Sequence, residues 1–170
     1  MPIKINPLPP QAFLKEHIEY NPDAGTFIAK TGGRAGWRVG EPIGTIDRGY
    51  LRIRLKNKYY AAHRIAWALI NGPISEEDQV DHIDGDRSNN KISNLRLATH
   101  EQNCQNIGIP KHNSSGLKGV HWNSYAKKWR AQIKLNGKRK FLGDYKTKEE
   151  AHAAYCNAAT KLHGMFRRKE

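Results

Sequence analysis

The 170-residue chain has two cysteines, Cys104 and Cys156, and no Cys-x-x-Cys pair. A structural zinc knuckle needs closely spaced thiolate or imidazole ligands, so that class is excluded. The two thiols are expected to be reduced and buried. Long apolar runs are absent as well. None approaches the roughly 18 residues that span a bilayer, and the mean hydropathy of -0.79 describes a polar, soluble protein with no membrane partner. The opening residues MPIKINPLPP lack the apolar core of a signal peptide and read as a proline-punctuated arm, which places the expected location in the cytoplasm.

Acidic residues are scarce in one part of the chain only. Residues 1–103 carry 14 Lys/Arg against 12 Asp/Glu, a net of +2, whereas residues 104–170 carry 15 against 4, a net of +11. A solvated face would mix both signs. A surface this one-sided attracts a polyanion, with steep salt dependence from counterion release, so nucleic acid is the expected partner.

Periodicity outlines the first part. Gln11–Tyr20 is expected to form a short amphipathic helix, Asn21–Gly25 a turn and Thr26–Lys30 a strand. Thr31–Gly40 is a Gly-rich loop carrying Arg34, Trp37 and Arg38. Gly49–Leu55 alternates apolar and basic residues, a half-buried strand with Arg52 and Arg54 outward, and Asn57-Lys58 turns into Tyr59-Tyr60. Ala61–Ile70 has helical spacing and stops at Asn71-Gly72-Pro73, with His63 and Arg64 in its first turn. Val80–Ile83 and Asn94–Leu97 read as two strands around the turn Asp84-Gly85-Asp86. Thr99 with Gln102 forms a capping box for a helix that carries Asn103 and Cys104.

Asp81, His82, Asn94 and Asn103 put an acid, an imidazole and two amides within a short segment. Phosphodiester cleavage needs an activated water, charge neutralisation on the phosphate and help for the departing 3′ oxygen. A neutral histidine can take the proton. Hard oxygens such as those of Asp81 and Asn103 suit Mg²⁺ or Mn²⁺. Asn94 is placed either to orient His82 or to hold the turn. A calcium loop fits poorly: the carboxylates of Asp81, Asp84 and Asp86 fall at positions 1, 4 and 6, Gly at 5 and Ile92 at 12. Turn-building alone explains Asp84–Asp86 but neither His82 nor Asn103. His63 could contact the scissile phosphate, brace the site from behind, or pack as a structural residue.

The run Val80-Asp81-His82-Ile83-Asp84-Gly85-Asp86, with Asn89-Asn90, Asn94-Leu95-Arg96, Thr99 and Asn103, resembles the HNH endonucleases. It is most similar to the phage and intron homing type that lacks zinc cysteines, over roughly residues 20–106. That resemblance implies a ββα-metal site with one divalent ion, His82 as general base, Asp81 and Asn103 as metal ligands, and Asn94 fixing the loop and the histidine. It also implies a phage gene acting in a bacterial cytoplasm.

Residues 105–114 have linker composition. Three strands are then expected, over Gly119–Asn123, Trp129–Leu135 and Lys140–Tyr145, with Asn136-Gly137 as a hairpin turn. A capping box at Thr147 and Glu150 opens an Ala-rich helix that Gly164 ends. Alternation puts Arg130, Gln132 and Lys134 on one sheet face, with His121, Asn123, Arg139 and Phe141 as companions. Such a face can contact phosphates and base edges in a major groove. Trp122 belongs either to the core or to the contact. The framework Ser115-Gly116, Gly119-Val120, Trp129-Arg130-Ala131, Leu142-Gly143, Glu149-Glu150-Ala151, Ala154-Tyr155 and Ala158-Ala159 resembles the APETALA/ethylene-response-factor domain. That domain binds DNA through its sheet. His121, Asn123 and Gln132 depart from its usual DNA-face residues, so no target sequence carries over.

The expected fold is therefore α+β: a ββα-metal nuclease domain over 1–104, a linker over 105–114, and over 115–170 a small three-stranded antiparallel sheet packed on one helix. The expected activity is metal-dependent, homing-type cleavage of double-stranded DNA, with no obligate protein partner. Arg52, Arg54, Arg87 and Arg96 are candidate extra phosphate contacts. The competing readings are a non-catalytic DNA-binding regulator on a degenerate nuclease scaffold and an RNA-binding module.

Overall fold

The computed structural model describes residues 6–32, 36–106, 108–109, 112–135 and 137–164, and for His163 the backbone only. Arg34 of the Gly-rich loop and Asn136 of the hairpin turn lie outside the described residues. Contacts divide the chain into two compact units, Met1–Ala98 and Thr99–Glu170. This division falls six residues ahead of the boundary expected at residue 104, so the helix carrying Asn103 groups with the second unit.

In the first unit, α1 (Gln11–His17) leads into β1 (Ile18–Asn21), which pairs antiparallel with β2 (Thr26–Ala29). The expected helix through Tyr20 is thus cut short. The β-branched Ile18 takes an extended conformation at the C-cap, and the ladder to β2 wins over another helical turn. The Asn21 side chain closes the connecting turn by accepting from the Asp23 and Ala24 N–H groups.

A second sheet orders β3 (Thr45–Asp47), β4 (Tyr50–Leu55) and β5 (Lys58–Ala61). Ile53 and Leu55 of β4 are buried while Arg54 is exposed, as alternation requires. The β4–β5 turn sits at Lys56-Asn57, both with positive φ; Lys58 already belongs to β5. β3 was not legible, having only three residues and no buried side chain.

α2 (Ala62–Asn71) buries Ile65, Ala66 and Leu69 along one stripe and ends at Gly72. The Gln11 amide donates to the carbonyls of Ala68, which also accepts from the Gly72 N–H, and of Leu69, near the open end of the helix. Leu14, Phe27, Ile53 and Ile65 are almost fully buried at the centre of this core. Each such side chain contributes about 1.5–3 kcal/mol. β6 (Asp78–His82) and β7 (Leu95–Thr99) pair as a two-stranded sheet, separated by a loop and a 3₁₀ turn at Ile92–Asn94.

In the second unit, α3 (His100–Gln105) starts from Thr99 with both bonds of its capping box made. The sheet order is β10 (Lys138–Tyr145), β9 (Lys128–Leu135), β8 (Val120–Asn123), antiparallel throughout, and α4 (Lys148–His163) packs across it. α4 buries Ala151, Tyr155 and Ala159, one residue per turn, against Val120, Ala131 and Ile133. A Cβ on Gly119 would lie 2.0 Å from the Tyr155 ring, so this approach needs glycine. Cys104 is exposed rather than buried, because α3 buries none of its side chains; Cys156 is half-buried.

One close approach ties the β1–β2 turn to the loop after β6. Gly25 has φ +71°, and a Cβ there would lie 2.6–2.7 Å from the Asn90–Lys91 backbone. Gly25→Ala is expected to cost about 1–3 kcal/mol of unfolding free energy through combined strain and clash. Denaturant titration checks this; an unchanged midpoint contradicts it.

Candidate functional site

Asp81 and His82 end β6, and both are buried. Arg96, on the paired strand β7, donates to Asp81 Oδ2 from Nε at 2.9 Å and from Nη2 at 2.8 Å. The side chains are only 7% and 13% exposed, which keeps this ion pair well shielded. Arg96, expected as a phosphate contact, instead fixes the carboxylate.

The loop after His82 is closed by its own polar groups. Asn94 Oδ1 accepts from the Asp84 N–H at 3.1 Å, while its Nδ2 donates to Asp84 Oδ1 at 3.0 Å and to the Asn89 carbonyl at 2.9 Å. Asn89 Nδ2 donates to Asp84 Oδ2 at 2.7 Å. Burial pushes the Asp84 carboxyl up, but the bonds from Asn89, the Asp86 N–H and Asn94 outweigh it and hold the group below its ordinary range. Asp86 receives Ser88 through backbone and hydroxyl. Asn94 therefore holds the turn.

The amide that meets His82 is Asn90. Its Nδ2 donates to the Ser88 carbonyl at 2.9 Å, which turns Oδ1 toward His82 Nε2, 3.5 Å away. An amide oxygen only accepts. This contact favours the tautomer of the neutral imidazole with its proton on Nε2 and the lone pair on Nδ1. Tyr20 donates to the Asn90 carbonyl at 2.7 Å and anchors this residue to β1. In the sequence Asn90 stood out only as half of the Asn89-Asn90 pair in the family-like run; choosing it over Asn94 as the partner of His82 needs the loop geometry.

Three rings meet at His82. His63, from the first turn of α2, lies edge-on with centroids 4.8 Å apart and planes at 73°. Tyr50 of β4 is 5.6 Å from His63 and 6.2 Å from His82. Arg87 lies over the Tyr50 ring at 4.8 Å. Burial holds the His82 imidazole below its ordinary range, against the opposing pull of Asn90 and of the Asp84, Asp81 and Asp86 carboxylates. Burial, then the neighbouring His82 and Arg64, push His63 down to about 3. Of the other candidate phosphate contacts, Arg52 pairs with Asp47 at 3.2 Å, and Arg54 donates to Asn57 and sits 6.0 Å from the Tyr59 ring.

Asn103 stands on α3, within the second unit. Among the described residues, no group of three His, Cys, Asp or Glu could hold a metal ion.

In the second unit, register places the expected contact residues on one face. Arg130 faces His121 and Asp144, Gln132 faces Phe141, and Lys134 faces Arg139. Arg130 donates to both Asp144 oxygens at 2.8 Å and lies 5.0 Å from the Phe141 ring. The carbonyl oxygen of the Asn123 side chain accepts from the Tyr125 and Ala126 N–H groups, so Asn123 shapes the β8–β9 turn. Trp122 shares the helix-side face with Val120 and stands edge-on to Trp129 at 5.2 Å.

Asp81 and His82 thus stand side by side at the end of a strand pair, next to a loop locked by its own amides. The sequence profile of the HNH endonuclease family matches residues 60–105. The chain is 36% identical over 108 residues to Protein 3.8 of Escherichia phage T7, covering 62% of this chain and 87% of that protein. It is 39% identical over 105 residues to the uncharacterized HNH endonuclease L560 of Acanthamoeba polyphaga mimivirus, covering 61% of this chain but only 54% of that protein. The solved structure of the HNH homing endonuclease I-HmuI, titled for DNA binding and cleavage, superposes over 86% of this chain and 85% of that one, with 22% identity and a TM-score of 0.43. The chain belongs to the HNH endonuclease family, and it is an endonuclease. Among the described residues no helix is long and apolar enough to cross a membrane.

The depressed His63 carries a stability signature. The unfolded ring binds a proton below pH 6.5, whereas the folded one resists protonation down to about 3, so the unfolded chain holds more protons between these values. Stability is complete above pH 6.5 and falls as pH drops through that window, by at most about 1.4 kcal/mol per pH unit from this group. Comparing unfolding free energies of wild type and His63→Leu across this range isolates the slope; identical slopes contradict the assignment.

Proposed function

We propose that the chain is a homing-type, metal-dependent endonuclease in which His82 is the general base. The observation that carries this is the contact between Asn90 Oδ1 and His82 Nε2: an accepting oxygen there favours the proton on Nε2 and the lone pair on Nδ1, in a buried ring next to the Asp81 carboxylate. His82 Nδ1 takes a proton from the water that attacks phosphorus, and the 3′ oxygen departs.

The donor chemistry fits one divalent ion, Mg²⁺ or Mn²⁺. Asp81 offers a carboxylate whose orientation Arg96 fixes through Oδ2, and the motif resemblance pairs it with the Asn103 amide. Such an ion supplies neutralisation of charge on the phosphate and on the leaving oxygen. Asp84 and Asp86 serve the loop, and Asn94 acts by closing it.

Residues 115–170 are proposed to position the enzyme on double-stranded DNA through the β8–β10 sheet, in the manner of the APETALA/ethylene-response-factor domain that they resemble. The shared face of His121, Arg130, Gln132, Lys134, Arg139 and Phe141 supports this, as does the net charge of +11 over residues 104–170. Arg130 enters as a paired, oriented group, and Lys134 with Arg139 as the phosphate-facing cations. The phage relative supports a phage gene whose product works in the bacterial cytoplasm.

His82→Ala is expected to lower plasmid cleavage about 10²- to 10⁴-fold with DNA affinity retained. Chelation should abolish wild-type cleavage and added Mg²⁺ or Mn²⁺ restore it. Metal-dependent cleavage that survives in His82→Ala contradicts the base assignment. Lys134→Ala and Arg139→Ala should each weaken binding about equally on all sequences and reduce the slope of log K against log salt by about 1. Unchanged slopes in both, measured by fluorescence anisotropy, contradict the sheet's role.

A further inference from the structure

His63 takes no direct part in the chemistry proposed above, yet it is 9% exposed and its Nδ1 is buried without a hydrogen-bond partner. An unpaired nitrogen in a core is destabilising, so a residue that keeps one calls for an explanation. A cationic contact to phosphate is not that explanation: the ring is neutral at any pH near 7 and shut away from solvent. Hydrogen-bond relay through Nδ1 has no partner to relay to.

What His63 does have is ring contact. It meets His82 edge-on at 4.8 Å and Tyr50 at 5.6 Å, and it is held by α2 on one side while Tyr50 comes from β4. The Asn90 contact to His82 is long, 3.5 Å, so it orients the ring weakly and the packed rings beside it add restraint. A ring packed edge-on against the imidazole restricts its rotation about the side-chain bonds.

We propose that His63 is a positioning residue for the nuclease base: its ring, set edge-on against His82, holds that imidazole with Nε2 on Asn90 and Nδ1 toward the substrate. This rests on His82 being the base. The requirement is for an aromatic edge at this place, and the nitrogens of His63 are dispensable.

The test uses the full chain with Mg²⁺ and plasmid DNA, comparing His63→Phe, His63→Leu and His63→Gln with wild type under saturating enzyme, alongside DNA affinity and thermal unfolding. His63→Leu and His63→Gln are expected to cleave about 10- to 100-fold more slowly at unchanged DNA affinity, the scale of a misplaced catalytic group. His63→Phe, which restores an aromatic edge, should recover most of that loss. Should Leu fail to fold, Phe against Gln decides. Phe as slow as Leu or Gln, Gln faster than Phe, or all three at the wild-type rate overturns the proposal. His82→Ala runs in parallel: residual metal-dependent cleavage there breaks the base assignment itself, whereas an inactive His82→Ala with equal rates across the His63 series breaks only the positioning role.

Discussion

The site depends on the knot that Asn94 ties around Asp84. Between Ile83 and Asn94 the chain leaves the β6–β7 ladder, and holding a residue's backbone in one conformation costs about 1–2 kcal/mol. Apart from Ile92, the described residues of this stretch add no hydrophobic side chain to the core, so polar bonds supply most of the offset. These bonds come from one carboxylate that accepts from two side-chain amides and one backbone N–H, and from an amide that both accepts and donates. With the loop so closed, Asn90 is delivered to His82, and Gly25 and Tyr20 press the same residue from the β1–β2 hairpin.

A division of labour among the polar residues follows. Asp84, Asp86, Asn89 and Asn94 build the loop, Asn90 and His63 surround the imidazole, and Arg96 orients Asp81. In the second unit the same economy recurs. The Asn123 carbonyl closes a turn, and Asp144 takes both donors of the Arg130 fork, fixing the direction of one arginine.

Much of this was legible in residue order, for local reasons. Capping boxes at Thr99 and Thr147 involve partners three residues apart, and both form. Alternation on β4 and β9 sorts faces without knowledge of the neighbours, and the cluster of Asp81, His82, Asn94 and Asn103 pointed to the family. The misses are choices between partners distant in sequence. Whether His82 meets Asn90 or Asn94 depends on a turn that Asp84 shapes. Whether Arg96 meets phosphate or Asp81 depends on two strands pairing. Helix or strand at Ile18 depends on β2, which the local pattern of Gln11–Tyr20 does not contain.

The central claim is the protonation pattern of one ring, and nitrogen NMR reads it directly. In protein labelled with ¹⁵N-histidine, at a pH where His82 is neutral, the account predicts a protonated Nε2 and a bare Nδ1 for His82. A His82 signal with the proton on Nδ1, or an even mixture of the two forms, would contradict it.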